Sequence, residues 1–355
     1  MKKALSLILC LAMALALLPP GAAAAEGSPF DGGSGTAENP YLVSTPEQLM
    51  AVDDYPGSCF LQTNDIDLSG LTSWSPVENS GDYDGGGNRV YGLDGSPLFS
   101  ANTGSIRRLG LADSTVSGFR SGNSSQQAVS MTIGGLVSVN EGEIEQCYLD
   151  NVTVSGSASL SSDYWQASAH ATVGGIAGQN SGTITDCYIR GGSVSAGASS
   201  SAQANIGASA SATAVAGGLV GKNTAEGVID TGYSTAEVTA SADAYSNTGY
   251  IETGRPYSGT VCGENLGTIS NCYYSSGQPV ASGGSEGAGR HAQAAWHRCP
   301  AGKRPGALKL HLHHSEPQQG GSLRPSLGAG FFLARHSGSG HAEHFPLPQP
   351  PLRYL

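Results

Sequence analysis

The sequence predicts an all-β fold: a right-handed parallel β-helix (β-solenoid) with an N-terminal cap containing one short helix and with a disordered C-terminal tail. The main observation is a phrase that occurs in four full copies and one reduced copy, and is most regular at Val173–Tyr188. One asparagine of the phrase returns at steps of 38, 40, 43 and 42 residues. A fixed period in this range is typical of stacked-repeat proteins. These asparagines are Asn102, Asn140, Asn180, Asn223 and Asn265.

Each part of the phrase favours a coil built from short strands. A glycine doublet such as Gly174–Gly175 costs a strand about 0.5–1 kcal/mol per glycine. Its return in three copies therefore indicates that backbones approach too closely for a Cβ. The apolar pair that follows fits one buried strand, and the Asn-x-Gly spacing that follows the pair is a turn signal. The three-residue step from Ile184 to Cys187 implies a corner between strands. Valines after the copies supply a third strand, at Val152, Val154, Val194 and Val238.

A β-sandwich is the alternative interpretation of many short strands. It is less favoured because a sandwich does not require a glycine doublet, an asparagine and a cysteine to return in one order. In a solenoid, equivalent positions lie above one another, about 4.8 Å apart, and stacked asparagine amides can hydrogen-bond to each other. The sequence leaves open whether each period forms one coil or two.

Residues 1–25 are predicted to be a secretory signal peptide. Lys2 and Lys3 give the positive start, Ala4–Leu18 the apolar middle and Ala22–Ala25 the cleavage zone. The apolar run is too short for a membrane span, and Cys10 lies inside it, which argues against a lipoprotein anchor. We therefore expect a protein that is secreted or displayed at the cell surface, with no membrane span after signal cleavage.

Residues 26–95 are predicted to cap the solenoid, which then occupies residues 96–282. Thr45-Pro46-Glu47-Gln48 has the pattern of a capping box with proline at the first helical position, so a short helix should begin there. Phe60–Leu68 predicts a strand, and residues 84–88 a turn. A solenoid needs an atypical end that covers its first coil, and this segment can supply it.

Several motifs follow one another in a fixed order between about Phe30 and Tyr274. They are Asn39–Leu49, Asn64–Leu68, Asp84–Asn88 and the Gly-Gly-Leu-Val-Gly-x-Asn copies. In this order they resemble exported bacterial proteins with GLUG-motif repeats. The resemblance implies a secreted or cell-surface repeat region, of the kind found in adhesins and beside immunoglobulin A-cleaving zinc peptidases, and it implies no catalytic residues. The chain departs from the pattern at Gly232, where the other full copies have cysteine, and at Thr260, where they have the second glycine.

The connectors between the copies are rich in Ser and Ala. Residues 208–214 alternate alanine with Ser or Thr, as a strand would. Two interpretations remain open, an extra coil of the solenoid or a hairpin or loop that projects from it. Aromatic residues in the connectors would suit a sugar-stacking surface, although buried packing is the more common role of any one of them. These residues are Tyr164, Trp165, Tyr245 and Tyr250.

The tail, residues 283–355, differs in composition from the rest of the chain. From Arg290 onward it has no Val, Ile, Thr, Asn or Asp, and it holds eight of the nine histidines. From Arg290 onward it also carries eight Lys or Arg against two acids, whereas the whole chain has a net charge of −11. We interpret it as a basic tail of low order, either a frameshift product or a native disordered segment. The nucleotide sequence beyond residue 285 would distinguish the two.

No pattern predicts a catalytic, cofactor-binding or metal site. Cys147, Cys187 and Cys272 share one repeat position and are interpreted as buried thiols, because parallel Cβ vectors suit a disulfide poorly. Residues Gly217–Asn223 superficially resemble a phosphate loop, but they lack its spacing and the Ser or Thr after Lys222, so a structural turn is favoured.

Two further groups contain residue types that can act as metal ligands. The tail histidines His311, His313 and His314 include no His-Glu-x-x-His motif, so a peptidase site is not supported. An acidic set near the cap could bind calcium through oxygen ligands, but solvated turn acids are the stronger expectation. This set is Asp65, Asp67, Asp82 and Asp84.

The sequence therefore predicts an exported, non-enzymatic repeat protein that displays a surface for adhesion or ligand binding. The partner is an unknown extracellular ligand, with carbohydrate and host or cell-wall components as candidates. The acidic body argues against nucleic acid. One alternative is the non-catalytic repeat region of a larger zinc peptidase of the immunoglobulin A-cleaving type. A less favoured one is a β-helix polysaccharide lyase or hydrolase that uses the acidic set.

Overall fold

A computed structural model describes residues 28–248 and 251–274, together with three short strands in the tail. The first two ranges form a parallel β-solenoid with one short α-helix near its beginning, as the sequence predicts. The signal segment and the rest of the tail, including the predicted disorder there, lie outside the described residues. The tail strands pair antiparallel with one another and are Lys309–Leu310, Phe332–Ala334 and Glu343–His344.

Each full coil passes once through four parallel sheets, which we number 1 to 4. One coil runs through Val137–Asn140, Glu143–Glu145, Tyr148–Ser162 and Gln166–Gly174, and the next begins at Ala177–Asn180. The asparagines that end these two sheet 1 strands are direct register partners. Each period of the phrase therefore forms one coil.

Sheets 1 and 2 carry the turn asparagines and the repeated isoleucine. Sheet 1 consists of Val77–Asn79, Phe99–Asn102, Val137–Asn140, Ala177–Asn180, Val220–Asn223 and Cys262–Asn265. Sheet 2 consists of Tyr41–Val43, Cys59–Gln62, Asp82–Asp84, Ser105–Arg107, Glu143–Glu145, Thr183–Thr185, Val228–Asp230 and Thr268–Ser270.

Sheets 3 and 4 contain the longest strands. Sheet 3 consists of Ile66–Asp67, Arg89–Tyr91, Asp94–Gly95, Gly110–Gly122, Tyr148–Ser162, Tyr188–Arg190, Ser193–Ala202, Tyr233–Ser234, Glu237–Ser246 and Tyr273–Tyr274. Sheet 4 consists of Ala128–Gly134, Gln166–Gly174, Ser209–Gly217 and Ile251–Gly259.

The N-terminal segment forms shorter coils of the same solenoid. Phe60 is the register partner of Tyr83, and Tyr83 of Ile106, so these coils step by 23 residues. They contain no sheet 4 strand.

The predicted capping box is confirmed at the helix Pro46–Met50, where Thr45 and Gln48 cap each other, and a 3-10 turn follows at Ala51–Asp54.

The turn asparagines form one buried column, as predicted. From Asn79 to Asn223, each side-chain amide donates to the amide oxygen of the asparagine in the next coil at 2.7–2.9 Å. Each also donates to the carbonyl of the turn glycine of its own coil. The column begins one coil earlier than the phrase indicates, and its members are Asn79, Asn102, Asn140, Asn180, Asn223 and Asn265.

The glycine doublet is explained by close backbone approach, also as predicted. A Cβ on Gly174 would lie 1.9 Å from the carbonyl oxygen of Ala177, and one on Gly175 would lie 2.2 Å from that of Gly218. These contacts are with backbone atoms, which cannot move aside. Larger residues are therefore excluded where sheet 4 turns into sheet 1.

The Ser- and Ala-rich connectors project from the solenoid as a flattened lobe (residues 114–134, 152–174, 193–217 and 237–259). Within each coil the sheet 3 strand turns back into the sheet 4 strand, and the two face each other across a core of small residues. They pair with the neighbouring coils rather than with each other. Each connector is therefore a lengthening of its own coil. It is neither an extra coil nor a hairpin whose two strands pair with each other. The lobe core includes Ala158, Leu160, Ala167, Ala169 and Ala171.

Replacing Asn180 by Ala should lower the free energy of unfolding by about 3 kcal/mol. The change leaves the amide oxygen of Asn223 and the carbonyl of Gly182 without this donor, and each buried unsatisfied group costs about 1–3 kcal/mol. Chemical denaturation measures the effect. Gln179→Ala, one residue away and directed outward, is the control and should change the value by less than about 0.5 kcal/mol. Equal midpoints for the two variants would show that the amide column contributes nothing.

Candidate functional site

The outer face of sheet 3 in the lobe is a regular array of hydroxyl groups, which we call the hydroxyl face. Alternate residues of each strand point outward, and the parallel register aligns them in columns from coil to coil. All of them are exposed or partly exposed. The hydroxyl face consists of Ser117, Ser155, Ser157, Ser159, Ser161, Ser195, Ser199, Ser201, Thr239 and Ser241.

These hydroxyls are free to bind a ligand. In residues 28–248 none of them makes a side-chain hydrogen bond to another part of the chain, unlike Ser114 or Ser246 of the same strands, whose hydroxyls donate to backbone carbonyls. A serine hydroxyl can donate one hydrogen bond and accept two, so every position of the face can both donate to a ligand and accept from it. Equivalent groups on adjacent strands lie about 4.8 Å apart.

A shallow groove of about 320 Å³ crosses the hydroxyl face. It exists because one column has no side chain at Gly197, between Ser157 and Ser241. A Cβ placed there would be 3.4 Å from the nearest atom, so the site has room. The lining contains only Gly, Ala, Ser and Thr, and therefore no titratable group.

Exposed aromatic side chains border this face. Phe119 and Tyr245 lie on it, in the first and fourth coils of the lobe, with 69% and 59% of their surfaces exposed. At the edge of the lobe, Trp165 is 65% exposed and Tyr164 42% exposed. Buried packing, the sequence-based expectation for these connector aromatics, is therefore wrong for Tyr164, Trp165 and Tyr245. Tyr250 lies outside the described residues.

A second aromatic feature has a structural role. Tyr148, Tyr188 and Tyr233 stack on one another at the base of sheet 3, with ring centroids 5.3 and 5.1 Å apart. Both faces of the central ring, Tyr188, meet another ring and are therefore unavailable to a ligand. The recurring tyrosine of the phrase contained the signal for this stack, since equivalent positions of successive coils are superposed.

The acidic set near the cap is held by arginines. Asp65 bonds to Arg89 at 2.9 Å and Asp82 to Arg107 at 2.8 Å. Asp84 accepts from Arg107 and from Arg108. Asp67 instead accepts the backbone N–H of Ser69. The structure therefore neutralises three of the four carboxylates rather than directing them towards one cation.

The thiols and the glycine-rich segment also have structural roles. Cys147, Cys187 and Cys272 are buried and free, as predicted. Lys222 lies on the sheet 1 strand Val220–Asn223 and pairs with Glu264, so this segment is part of the coil rather than a phosphate loop. His311, His313 and His314 fall outside the described residues. Within the part of the chain that is described, no group of three His, Cys, Asp or Glu side chains could hold a metal ion.

No protein-family model and no curated protein matches this sequence. Among solved structures, the chain is similar to a Bacteroides ovatus protein provisionally named an immunoglobulin A1 protease. The two are 18% identical with a TM-score of 0.43, over 72% of this chain and 86% of that one. A likeness this distant indicates no function. No helix in the described ranges is long and apolar enough to cross a membrane.

Asp84 should make the stability of the fold sensitive to acid. Burial by itself would raise its pKa, but hydrogen bonds from Arg108, Gly86 and Arg107 outweigh it and hold the pKa below its usual value. The carboxylate therefore stabilises the fold fully above about pH 4, its unfolded value, and this contribution is lost as the pH falls through the folded pKa.

Asp84→Asn should lower the free energy of unfolding at pH 7 by about 1–3 kcal/mol, since hydrogen bonds to charged groups are lost. It should also flatten the dependence of stability on pH below about 5. Urea denaturation between pH 3 and pH 7 tests both effects. Asp54→Asn, at an exposed acid that ends the 3-10 turn, is the control. An unchanged pH slope in Asp84→Asn would refute the role of this carboxylate.

Proposed function

We propose that this chain is an exported, non-enzymatic surface protein that binds neutral glycans on the hydroxyl face of its lobe. The observation that carries the proposal is the aligned set of unpartnered hydroxyls with exposed aromatic rings on the same face. The signal-like N-terminus and the resemblance to GLUG-repeat proteins support export and a location at the cell surface. Adhesion to a polysaccharide coat is the role that fits these features.

The chemistry of the face matches that of a sugar chain. A pyranose presents hydroxyls around its rim, which can exchange hydrogen bonds with serine and threonine hydroxyls. Its faces carry C–H groups, which pack on aromatic rings such as Phe119 and Tyr245. The groove volume lies at the lower end of the range for ligand sites, which suits one or two sugar units within a longer chain.

The charge distribution favours a neutral glycan over an acidic one. The groove lining carries no charge. In the fourth coil the same face presents Glu237 and Asp243, which are exposed and would repel a carboxylate or sulfate. A polyanionic chain is therefore a poor partner for this face.

The groove also favours binding over catalysis. Glycoside cleavage normally requires a pair of carboxyl groups beside the bond that breaks, and the groove lining has none. Three of the four acids that could have served a lyase or hydrolase are engaged by Arg89, Arg107 and Arg108. The alternative of a non-catalytic region of a larger surface peptidase would use the same lobe in the same way.

Filling the groove should abolish glycan binding. Gly197→Trp places a large ring in the space between Ser157 and Ser241, whereas Gly197→Ala adds one methyl group that fits. Affinity gel electrophoresis in xyloglucan, mannan and dextran should show retardation of the native chain and of Gly197→Ala by at least one of these polysaccharides. Gly197→Trp should migrate as in a gel without polysaccharide.

The aromatic residues provide a second readout. Phe119→Ala and Tyr245→Ala should each weaken binding roughly fivefold to tenfold, as expected for the loss of one aromatic contact worth about 1 kcal/mol. Tyr188→Phe, in the tyrosine stack at the base of sheet 3, should bind normally. Failure of the native chain to bind any of the three polysaccharides, or equal binding by Gly197→Trp, would reject the proposal.

A further inference from the structure

A second polar surface lies on the opposite side of the lobe, at the inner corner where the outer faces of sheets 4 and 1 meet. The two sheets approach closely there, since a Cβ on Gly221 would lie 2.8 Å from the methyl group of Thr172. Residues on this outer face of sheet 4 therefore look towards outward residues of sheet 1. The lobe core separates this corner from the hydroxyl face.

The corner contains a histidine between charged neighbours. His170 is partly buried, and its Nε2 lies 3.1 Å from the Thr172 hydroxyl. Lys222 of sheet 1 pairs with Glu264 of the next coil at 3.3 Å, with both side chains only 21–30% exposed. Burial lowers the pKa of His170, Lys222 lowers it further, and Glu264 acts in the opposite direction. The imidazole is therefore predominantly neutral at pH 7, able to donate at one nitrogen and to accept at the other.

Arg255 adds a positive charge to the corner. It is the register partner of Thr213, which in turn is the register partner of His170, so the three side chains form one outward column on sheet 4. Arg255 is exposed and makes no ion pair within the described ranges. The other bases of residues 28–274 are paired with acids, apart from Arg120 on the first coil of the lobe. An exposed guanidinium without an acidic partner is notable in a chain with net charge −11.

We propose that this corner binds the carboxylate of an acidic saccharide unit. Arg255 provides the planar fork that matches a carboxylate. Because Lys222 and Glu264 form an ion pair across one coil step, Arg255 leaves the corner with a net positive charge. Glu264, Gln179 and the neutral His170 provide the donors and acceptors that sugar hydroxyls require. The side chains of this corner are all polar, and they combine a guanidinium fork with uncharged and acidic hydrogen-bonding groups. This combination fits the carboxylate and hydroxyls of an acidic sugar better than an acidic peptide.

The test is the affinity of the full chain for oligogalacturonate, measured by calorimetry at pH 7 and low salt. Arg255→Gln should weaken binding by about tenfold or more, as expected when a charge-assisted hydrogen bond is lost. Arg120→Gln removes the other unpaired arginine from the lobe and should change affinity by less than about twofold. A neutral maltooligosaccharide should not compete.

Three outcomes would overturn the proposal: no binding of oligogalacturonate by the native chain, equal losses in Arg255→Gln and Arg120→Gln, or tighter binding of a polyglutamate peptide than of the saccharide. The Gly197→Trp variant separates this site from the groove on the hydroxyl face. It should bind oligogalacturonate normally, whatever it does to neutral glycans.

The imidazole provides an independent readout. His170 is the one histidine outside the tail, and His170→Asn assigns its resonance in a proton NMR titration. A bound carboxylate stabilises the imidazolium form, so oligogalacturonate should raise the pKa of His170 in the native chain and leave it unchanged in Arg255→Gln. An unchanged pKa in the native chain at saturating ligand would place the saccharide elsewhere.

Discussion

The solenoid depends on a column of buried side-chain amides that hydrogen-bond from coil to coil. Each asparagine of this column is fully or almost fully buried until Asn265 in the last coil. A buried amide without partners is costly, so each one is stable only if its neighbours sit directly above and below it. The column thus ties every coil to one register, and a slip of one residue would break two hydrogen bonds at each level.

The same stacking explains where the chain can and cannot vary. At the turn that follows the asparagine, a Cβ on Gly142 would lie 2.0 Å from the carbonyl oxygen of Gly104, and one on Gly182 would lie 2.0 Å from that of Gly142. A side chain is therefore excluded at this glycine position in successive coils. Length, in contrast, changes freely between sheets 3 and 1. Coils of 23 residues near the N-terminus become coils of 38 to 43 residues once the lobe is inserted, while the asparagine column continues unbroken.

The repeated phrase was sufficient to predict the asparagine column, the close approach at the glycine doublet and the buried thiols, because each is a position that must recur in every coil. The lobe was harder to predict. Its alternation of Ala and Ser indicates strands, but alanine is small and weakly apolar, so the pattern does not reveal which strands face each other. The first asparagine of the column, Asn79, was missed because the short coils lack the phrase. The exposure of Trp165 and Tyr245 depends on where the strands turn, which composition does not determine.

Periodicity inside the solenoid also determines what its surface can recognise. Because the core fixes one register, outward residues align in columns with a step of about 4.8 Å along the axis, and a column can repeat the same chemistry in successive coils. The column Ser117, Ser155, Ser195 and Thr239 presents four hydroxyls in line. A small ligand would use one or two of these groups and gain little, whereas a polymer with repeating hydroxyls can engage several at once, and weak contacts then sum to useful affinity. The geometry therefore favours an extended polysaccharide over any single small molecule as the partner of this face.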